Sequence, residues 1–377
     1  MLGVAFAIGQ HDLKRLLAYH SVENIGIILM GVGLALIGRS VGRDDWVLLG
    51  LAGGLLHVWN HGLFKSLLFL SAGSVIHAVH TREIDHLGGL AKSMPWTALC
   101  FAVGAVAICG LPPLNGFVSE LLIYIGLFRT LGLGEGASWF GAAFAAPALA
   151  LIGALALACF VKAYGAVFLG TARSEPARHA HESGPSMIGP MGVLVACCVF
   201  IGVAPGLVAP VLEHAVFAWA PDLTADQPRL ASFVPLGWIS VMGLGLVGTL
   251  VLGAGFLRWR IRSRVVASVG TWDCGYAAPS PTMQYTSSSF AEMLVKLFAW
   301  VLRPKVHARQ DRSLFVHEGE FHSHVPDTVL DGGLRPSFRA VARVFSWFRF
   351  LQQGSIQAYL LYIFLMLIAL LFWNGLL

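Results

Sequence analysis

From Trp46 to Ile76 the chain reads WVLLGLAGGLLHVWNHGLFKSLLFLSAGSVI, an apolar run of membrane-spanning length with His57, His61 and Lys65 near its middle. On a helix these three residues lie four apart, and each step turns about 400°, so all three fall on one stripe. An ionisable residue near a bilayer centre costs about 2.5–3.5 kcal/mol on insertion scales, so such residues usually face a protein interior or a water-filled cavity and mark ion or proton routes. The plainer alternative is one helix held to its neighbours by buried polar contacts. Lys65 in register with two histidines favours the route.

The whole chain supports a membrane setting. Its 377 residues are 56% hydrophobic and 12% charged, with mean hydropathy +0.73, a balance not expected of a water-soluble globule of this size. The net charge of +5 is unevenly placed and reads first as membrane topology. No base-reading motif is present, so nucleic acid is not an expected partner. Of the six cysteines, Cys100, Cys109, Cys159, Cys197 and Cys198 lie in apolar runs, and Cys274 does not. Neither CxxC pairs nor Cys/His metal spacing occurs, so no cofactor or metal site is expected on this chain. The opening MLGVAFAIG lacks a basic leader and is too short for a span, and it reads as the tail of a helix.

Taken in order, the apolar runs predict spans at about 19–38, 46–76, 97–128, 141–169, 188–217, 233–257 and 355–377. This is an all-α polytopic transmembrane helix bundle of about seven spans. The run TALCFAVGAVAICGLPPLNGFVSELLIYIGLF at 97–128 carries Pro112, Pro113 and Gly116 at its centre. Proline removes a backbone donor and clashes with the preceding turn, so the helix breaks there. Broken helices at membrane depth are tolerated where protein or a water-lined cavity satisfies the freed backbone, and they build transporter sites. Pro205 and Pro210 interrupt 188–217 in the same way.

With each run counted as one crossing, Lys14, Arg15, Arg82, Lys92, Arg173, Arg178, Arg258, Arg260, Arg262, Arg264, Arg339, Arg343 and Arg349 share one side. The other side holds Arg39, Arg43, Arg129 and Arg229. The asymmetry supports one broken helix over 97–128 rather than a hairpin, and it puts the polar segment 258–354 in the cytoplasm. The divisions expected are a channel core at 1–170, further spans at 171–257, a polar segment at 258–354 and a last span at 355–377. Within the polar segment, Phe290 to Arg303 is apolar and basic, suited to the membrane surface or a neighbouring subunit.

HDLKRLLAYHSVENIG, HVWNHGLFKSLLFLSAGSV, HLGGLAKSMP and GLPPLNGFVSE follow each other as in the antiporter-like subunits of complex I and related complexes, which this chain resembles over essentially its whole length. The tail WDCGYAAPSPTMQYTSSSFAE, followed by GSIQAYLLYIFLMLIALL, resembles the large membrane subunit of group 4 [NiFe] hydrogenases, the hydrogenase-4 component B and formate hydrogenlyase type. The resemblance implies a proton-translocating subunit in the cell's inner (plasma) membrane, built from inverted helical repeats with broken helices, of which this chain is the second. Its expected partners are other membrane subunits, the lipid bilayer, and a peripheral [NiFe] hydrogenase or NADH/formate-oxidising module.

By that likeness Lys65 takes the place of the family's channel lysine and His61 that of its channel histidine, with His57 one turn earlier. Glu120 stands where some members have lysine and others glutamate. Lys14 matches the DLKR lysine, and Glu23 and Asn24 stand where relatives differ. Members normally carry a long first half that these 377 residues do not supply. The resemblance therefore implies either a truncated product or a split subunit with its first repeat on a separate polypeptide.

Proton transfer along such a line needs groups whose proton affinity can be brought near neutral, and buried lysine, glutamate and histidine qualify. Lys65, His61 and Glu120 suit that role. Glu120 has a second reading, as a carboxylate capping the freed N-terminus after the break. Lys162 either joins the line or snorkels to a membrane face, and Lys14 either joins it or anchors the chain at the surface. His77, His80 and His86 read as a solvated loop. Two rivals to the hydrogenase reading are a subunit of a cation/proton antiporter or NADH-quinone oxidoreductase, and a passive membrane anchor.

Overall fold

The structure is a computed structural model and describes residues 1–131, 137–221, 223, 229–262, 275, 280–281, 283–309, 320–351 and 354–376. Arg264, Cys274 and most of the WDCGYAAPS tail motif lie outside the described residues. The chain forms two compact units, residues 1–325 and 326–377.

The first unit begins with α1 (Leu2–Ile8), α2 (Leu13–Ser40), α3 (Asp44–Val79), α4 (Pro95–Ile108), α5 (Asn115–Thr130) and α6 (Ala137–Phe168). It continues through a single turn α7 (Glu175–Arg178), α8 (Pro185–Val203), α9 (Pro205–Trp219), a single turn α10 (Leu230–Phe233) and α11 (Leu236–Arg262). Then come α12 (Ser287–Leu297), a single turn α13 (Ala299–Leu302) and the antiparallel strands β1 (Lys305–Arg309) and β2 (Glu320–His324), with Lys305 opposite His324. The second unit consists of a wide turn at Leu330–Leu334, α14 (Arg335–Ser346), a tight turn at Trp347–Leu351 and α15 (Ile356–Leu376).

Among the described residues six helices are long and apolar enough to cross a bilayer: α2, α3, α6, α8, α11 and α15. The expected seventh span is the α4–α5 pair, each half too short to cross alone.

The long helix α3 organises the first unit, and its neighbours ladder along it in register. On α2, Leu17 meets Lys65, Asn24 meets His57 and Gly31 meets Gly50, so the two helices run antiparallel. A Cβ on Gly31 would lie 2.8 Å from Gly50 O, and one on Gly50 would lie 2.7 Å from Gly31 O. Small residues here let two backbones touch, which is how helices associate where no hydrophobic drive separates them from lipid. The helix α2 starts at Leu13 rather than near residue 19, because Asp12 accepts the Arg15 N–H at 3.0 Å and caps the charged DLKR turn onto the span.

The halves α4 and α5 run down α3 in one direction. Thr97 bonds Ser74 at 2.9 Å, a Cβ on Gly104 would lie 2.8 Å from Leu68, Ser119 bonds His57 at 2.9 Å, and a Cβ on Gly53 would lie 3.1 Å from Leu122. At the far end Arg129 reaches Asp45 at 3.4 Å. Residues 95–130 are therefore one broken crossing and not a hairpin. Glu182, far along the chain, caps the start of α4, accepting the N–H groups of Trp96 (2.8 Å) and Thr97 (3.3 Å) and the Thr97 hydroxyl (2.5 Å).

The stretch expected at 188–217 is two helices, α8 and α9, that also follow α3. Met191 Sδ accepts from Ser71 at 3.4 Å, while Val208, Leu212 and Val216 share a core with Val47, Leu51 and Ala52. The break falls at Ala204, and Pro205 opens α9 at a position that needs no N–H donor; Pro210 lies inside α9 instead of interrupting it. The two breaks touch, since a Cβ on Gly202 would lie 2.0 Å from Pro113 O.

The amphipathic stretch is α12 and α13. Its start is held by a reciprocal cap between Thr286 and Ser289. Ala291, Leu294, Val295 and Phe298 pack on the same core as Val4, Ala7 and Ile8 of α1, so this chain covers one face of the stretch itself. Met293, Leu297 and Trp300 stay exposed.

Candidate functional site

The middle of α3 presents polar side chains to two partners. His57 lies between α2 and α5, with Nε2 3.1 Å from Asn24 Oδ1 and Nδ1 2.9 Å from Ser119 Oγ. Asn24 donates its amide hydrogen to His20 O at 2.7 Å, so its oxygen is the atom facing His57. That assigns Nε2 of His57 as the donor and leaves Nδ1 to accept from the Ser119 hydroxyl. Ser119 has one hydrogen for two acceptors, His57 Nδ1 and Gly116 O at 3.0 Å.

Asn60 secures the break between α4 and α5. Its Nδ2 donates to Asn115 O at 2.7 Å and to Ser119 Oγ at 3.1 Å, while Asn115 Nδ2 donates back to Asn60 Oδ1 at 3.1 Å. The start of α5 just past the break is thus tied to α3 by side-chain hydrogen bonds. Asn115 Oδ1 takes the Gly116 N–H at 3.1 Å, so the cap once open to Glu120 is filled by Asn115. Gly116 is needed at the break because a Cβ there would lie 1.9 Å from Ala107 O.

Glu120 instead folds back over Gly110. A Cβ on Gly110 would lie 2.5 Å from Glu120 Oε2, and Gly110 has φ +62°, so both space and backbone conformation call for glycine. The carboxyl lies beside a cavity of about 250 Å³ lined by Cys109, Leu111, Phe117, Tyr124 and Gly153.

Lys65 reaches α2 and donates from Nζ to Leu17 O, with the Phe69 ring 5.3 Å away. One turn along α2, His20 Nδ1 pairs with Glu23 Oε2, and the His20 ring packs tilted against Phe160 of α6 with centroids 4.6 Å apart. Glu23 is close enough to interact electrostatically with both Lys65 and Glu120. The ionisable members are deeply buried: Lys65 is 6% exposed, Glu120 8%, Glu23 3% and His20 0%.

The sequence-predicted residues are therefore not all equivalent. His57, Lys65 and Glu120 come together around Glu23 and Asn24. His61 is half-buried beside Phe64, ring centroids 5.7 Å apart, and its Nε2 has no hydrogen-bond partner. Lys14 is exposed in the first turn of α2, while Leu13 and Leu16 of the same turn are buried in the core shared with α3. Lys162 does not snorkel: it is 2% exposed and donates to Ile8 O at 2.6 Å and Gln10 O at 2.9 Å. His77, His80 and His86 are exposed. Among the described residues no group of His, Cys, Asp or Glu is placed to hold a metal.

Sequence reasoning missed His20, Asn60, Asn115 and Ser119. The spacing of His20, Glu23 and Asn24 on α2, at i, i+3 and i+4, was the available signal, since it forms a stripe to face that of α3. Asn60 carried no such signal, because its partner Asn115 is 55 residues away in the chain.

Residues 1–145 match the transmembrane family described as NADH:quinone oxidoreductase/Mrp antiporter. The chain is 34% identical to hydrogenase-4 component B of Escherichia coli over 383 residues, covering 98% of this chain and 56% of that protein. It is 37% identical to formate hydrogenlyase subunit 3 of the same organism over 303 residues, covering 80% of this chain and 48% of the relative. The chain thus spans about half the length of the curated relatives it matches. Its fold is similar to a chain of the membrane-bound sulfane sulfur reductase, an archaeal respiratory membrane complex, with TM-score 0.65 at 24% identity, covering 98% of this chain and 54% of that one.

Proposed function

Residues 1–145 make this chain a member of the NADH:quinone oxidoreductase/Mrp antiporter family, and from that premise we propose that it is a proton-translocating membrane subunit of a respiratory redox complex of the group 4 [NiFe] hydrogenase or formate hydrogenlyase type. It sits in the inner (plasma) membrane and does not itself catalyse the redox reaction. Its partners are other membrane subunits and a peripheral hydrogenase or formate-oxidising module, and the similarity to hydrogenase-4 component B and formate hydrogenlyase subunit 3 supports that choice.

The observation that carries the reading is the buried set of ionisable groups, Glu23 paired with His20 on α2, Lys65 on α3 and Glu120 on α5, with Glu23 in electrostatic reach of both Lys65 and Glu120. At an effective dielectric of about 20 the interaction of two unit charges falls only as the inverse of their separation, and about 1.4 kcal/mol of it shifts a neighbour's proton affinity tenfold. A proton gained or lost at Lys65 is then felt at Glu23 and passed to Glu120. His57, held by Asn24 and Ser119, and His20, paired to Glu23, supply imidazoles along the same path. A charge moved by redox chemistry elsewhere in the complex shifts this balance, and the protons follow.

The test uses the complex isolated from its native membrane and reconstituted in vesicles. Lys65→Met and Glu120→Gln should abolish proton movement coupled to formate or hydrogen oxidation while the complex still assembles. Sodium exchange without a redox substrate would point instead to the antiporter reading, and full coupled transport in both variants would leave only a membrane anchor.

A further inference from the structure

A second group of ionisable side chains collects where the turn at 9–12, the segment 82–87 and the start of α12 meet. Lys162 of α6 holds Ile8 O, the last carbonyl of α1, and Gln10 O just beyond the helix. Asp85 is close enough to act electrostatically on Lys162. Its Oδ1 accepts the Ser287 N–H at 2.6 Å, and its Oδ2 lies 3.5 Å from His11 Nδ1. The other ring nitrogen of His11 faces Ser323 Oγ at 3.2 Å. His11 and Ser323 line a cavity of about 460 Å³ together with Ser288, Glu292 and Lys296.

The neighbouring charges are otherwise engaged. Arg82 pairs with Asp12 at 3.3 Å, Lys296 pairs with Glu292 at 2.6 Å, and Arg173 donates to Leu87 O, Ala166 O and Tyr285 O. From the cavity inward, the ionisable groups that follow one another are His11, Asp85 and Lys162.

We propose that His11, Asp85 and Lys162 form a proton access route from the cavity at the basic rim to the interior of α6, a proposal that rests on the reading of this chain as proton-translocating. Water in the cavity gives a proton to His11 Nε2, and the imidazolium releases the one on Nδ1 to Asp85. Asp85 passes it by way of a bridging water to Lys162, in the unprotonated form left once that lysine has released its own proton inward, and returns to a carboxylate as the amine becomes an ammonium. Each step moves one proton and no electrons. The carbonyls at the end of α1 favour the resulting cation, since a helix C-terminus carries partial negative charge.

The test places the whole complex in vesicles and drives protons inward with a potassium diffusion potential, reading internal pH with a trapped dye. His11→Ala and Asp85→Asn should each slow uptake about a hundredfold or more, the lower end for a lost proton-transfer group. Added imidazole should restore the rate of His11→Ala, which a purely structural role would not allow. Unchanged uptake in both variants, or slow uptake that imidazole does not restore, overturns the route. Glu120→Gln separates the two ideas: if it alone abolishes uptake, the route fails and the buried line stands. If it has no effect either, the reading of the chain as proton-translocating fails.

Discussion

Asn60 and Asn115 bond each other in both directions, Asn60 Nδ2 to Asn115 O at 2.7 Å and Asn115 Nδ2 to Asn60 Oδ1 at 3.1 Å. This one pair ties the continuous helix α3 to the break between α4 and α5, and it lies beside the His57–Ser119 contact. The position of the break relative to the polar line is therefore set by two amides.

Replacing Asn60 by leucine leaves Asn115 O and the Asn115 amide buried without their partner. A buried group so orphaned costs about 1–3 kcal/mol. The Asn60→Leu variant should unfold at lower temperature in detergent than the parent and lose proton movement with it. An unchanged midpoint would show that the break is held by other contacts.

Gly110→Ala puts a methyl group where the Glu120 carboxylate sits and holds alanine at a left-handed backbone conformation. The conformation alone costs about 1–2 kcal/mol, and the carboxylate must move. Proton movement should fall toward that of Glu120→Gln even where the variant assembles, as measured in reconstituted vesicles. Gly33→Ala, where a Cβ meets nothing within 4 Å, is the matched control and should be silent.

Glu182 serves α4 as a cap supplied from a distant loop. Loss of a helix cap costs about 0.5–2 kcal/mol, and a negative charge at a helix N-terminus adds to it. Glu182→Ala should lower the unfolding temperature, and Glu182→Gln should lie between it and the parent. Hydrogen exchange at Trp96 and Thr97 should rise in both variants, and equal exchange in parent and Glu182→Ala would remove the capping role.

Asp85 provides a pH dependence whose sign is fixed. Burial pushes its carboxyl up, but the pairing with His11, the Ser287 N–H bond and the charge of Lys162 outweigh this and hold it below the usual carboxylate range. A group whose folded pKa is depressed stabilises the fold above its unfolded pKa, about 3.9 for aspartate, and loses that contribution as pH falls through the folded value. The contact between 82–87 and α12 should hold at neutral pH and loosen only below about pH 4. Limited proteolysis near Ser287 across pH 6 to 3 checks this, and Asp85→Asn should flatten the profile.

Much of the fold was legible because in a bilayer each apolar run must satisfy its own backbone, so run length predicts a helix. The break at Pro112 and Pro113 followed from the missing donors. Its nature as one crossing was inferred from the distribution of arginine and lysine, and the register of α4 and α5 along α3 supports it. The start of α2 was misread because charged residues in DLKR look like a loop when the Asp12 cap is not seen. Pro210 was misread as an interruption because a helix can carry one proline past its first turn without ending, and here the break falls at Ala204 instead.

The sequence by itself determined that this is a membrane-spanning helical protein, where its central broken helix lies, and that His57 and Lys65 share a face of α3. These follow from local rules, chain length in hydrocarbon and the period of the helix, which need no knowledge of neighbours. Only the tertiary structure decided that Glu23 pairs with His20 deep in the bundle, that Asn60 binds the start of α5, and that Lys162 is tied to α1 instead of reaching for a membrane face. The last two relationships join residues far apart in the chain, and the packing of α2, α5 and α6 around α3 sets them. A polar side chain in a sequence carries no mark of which buried group it will meet.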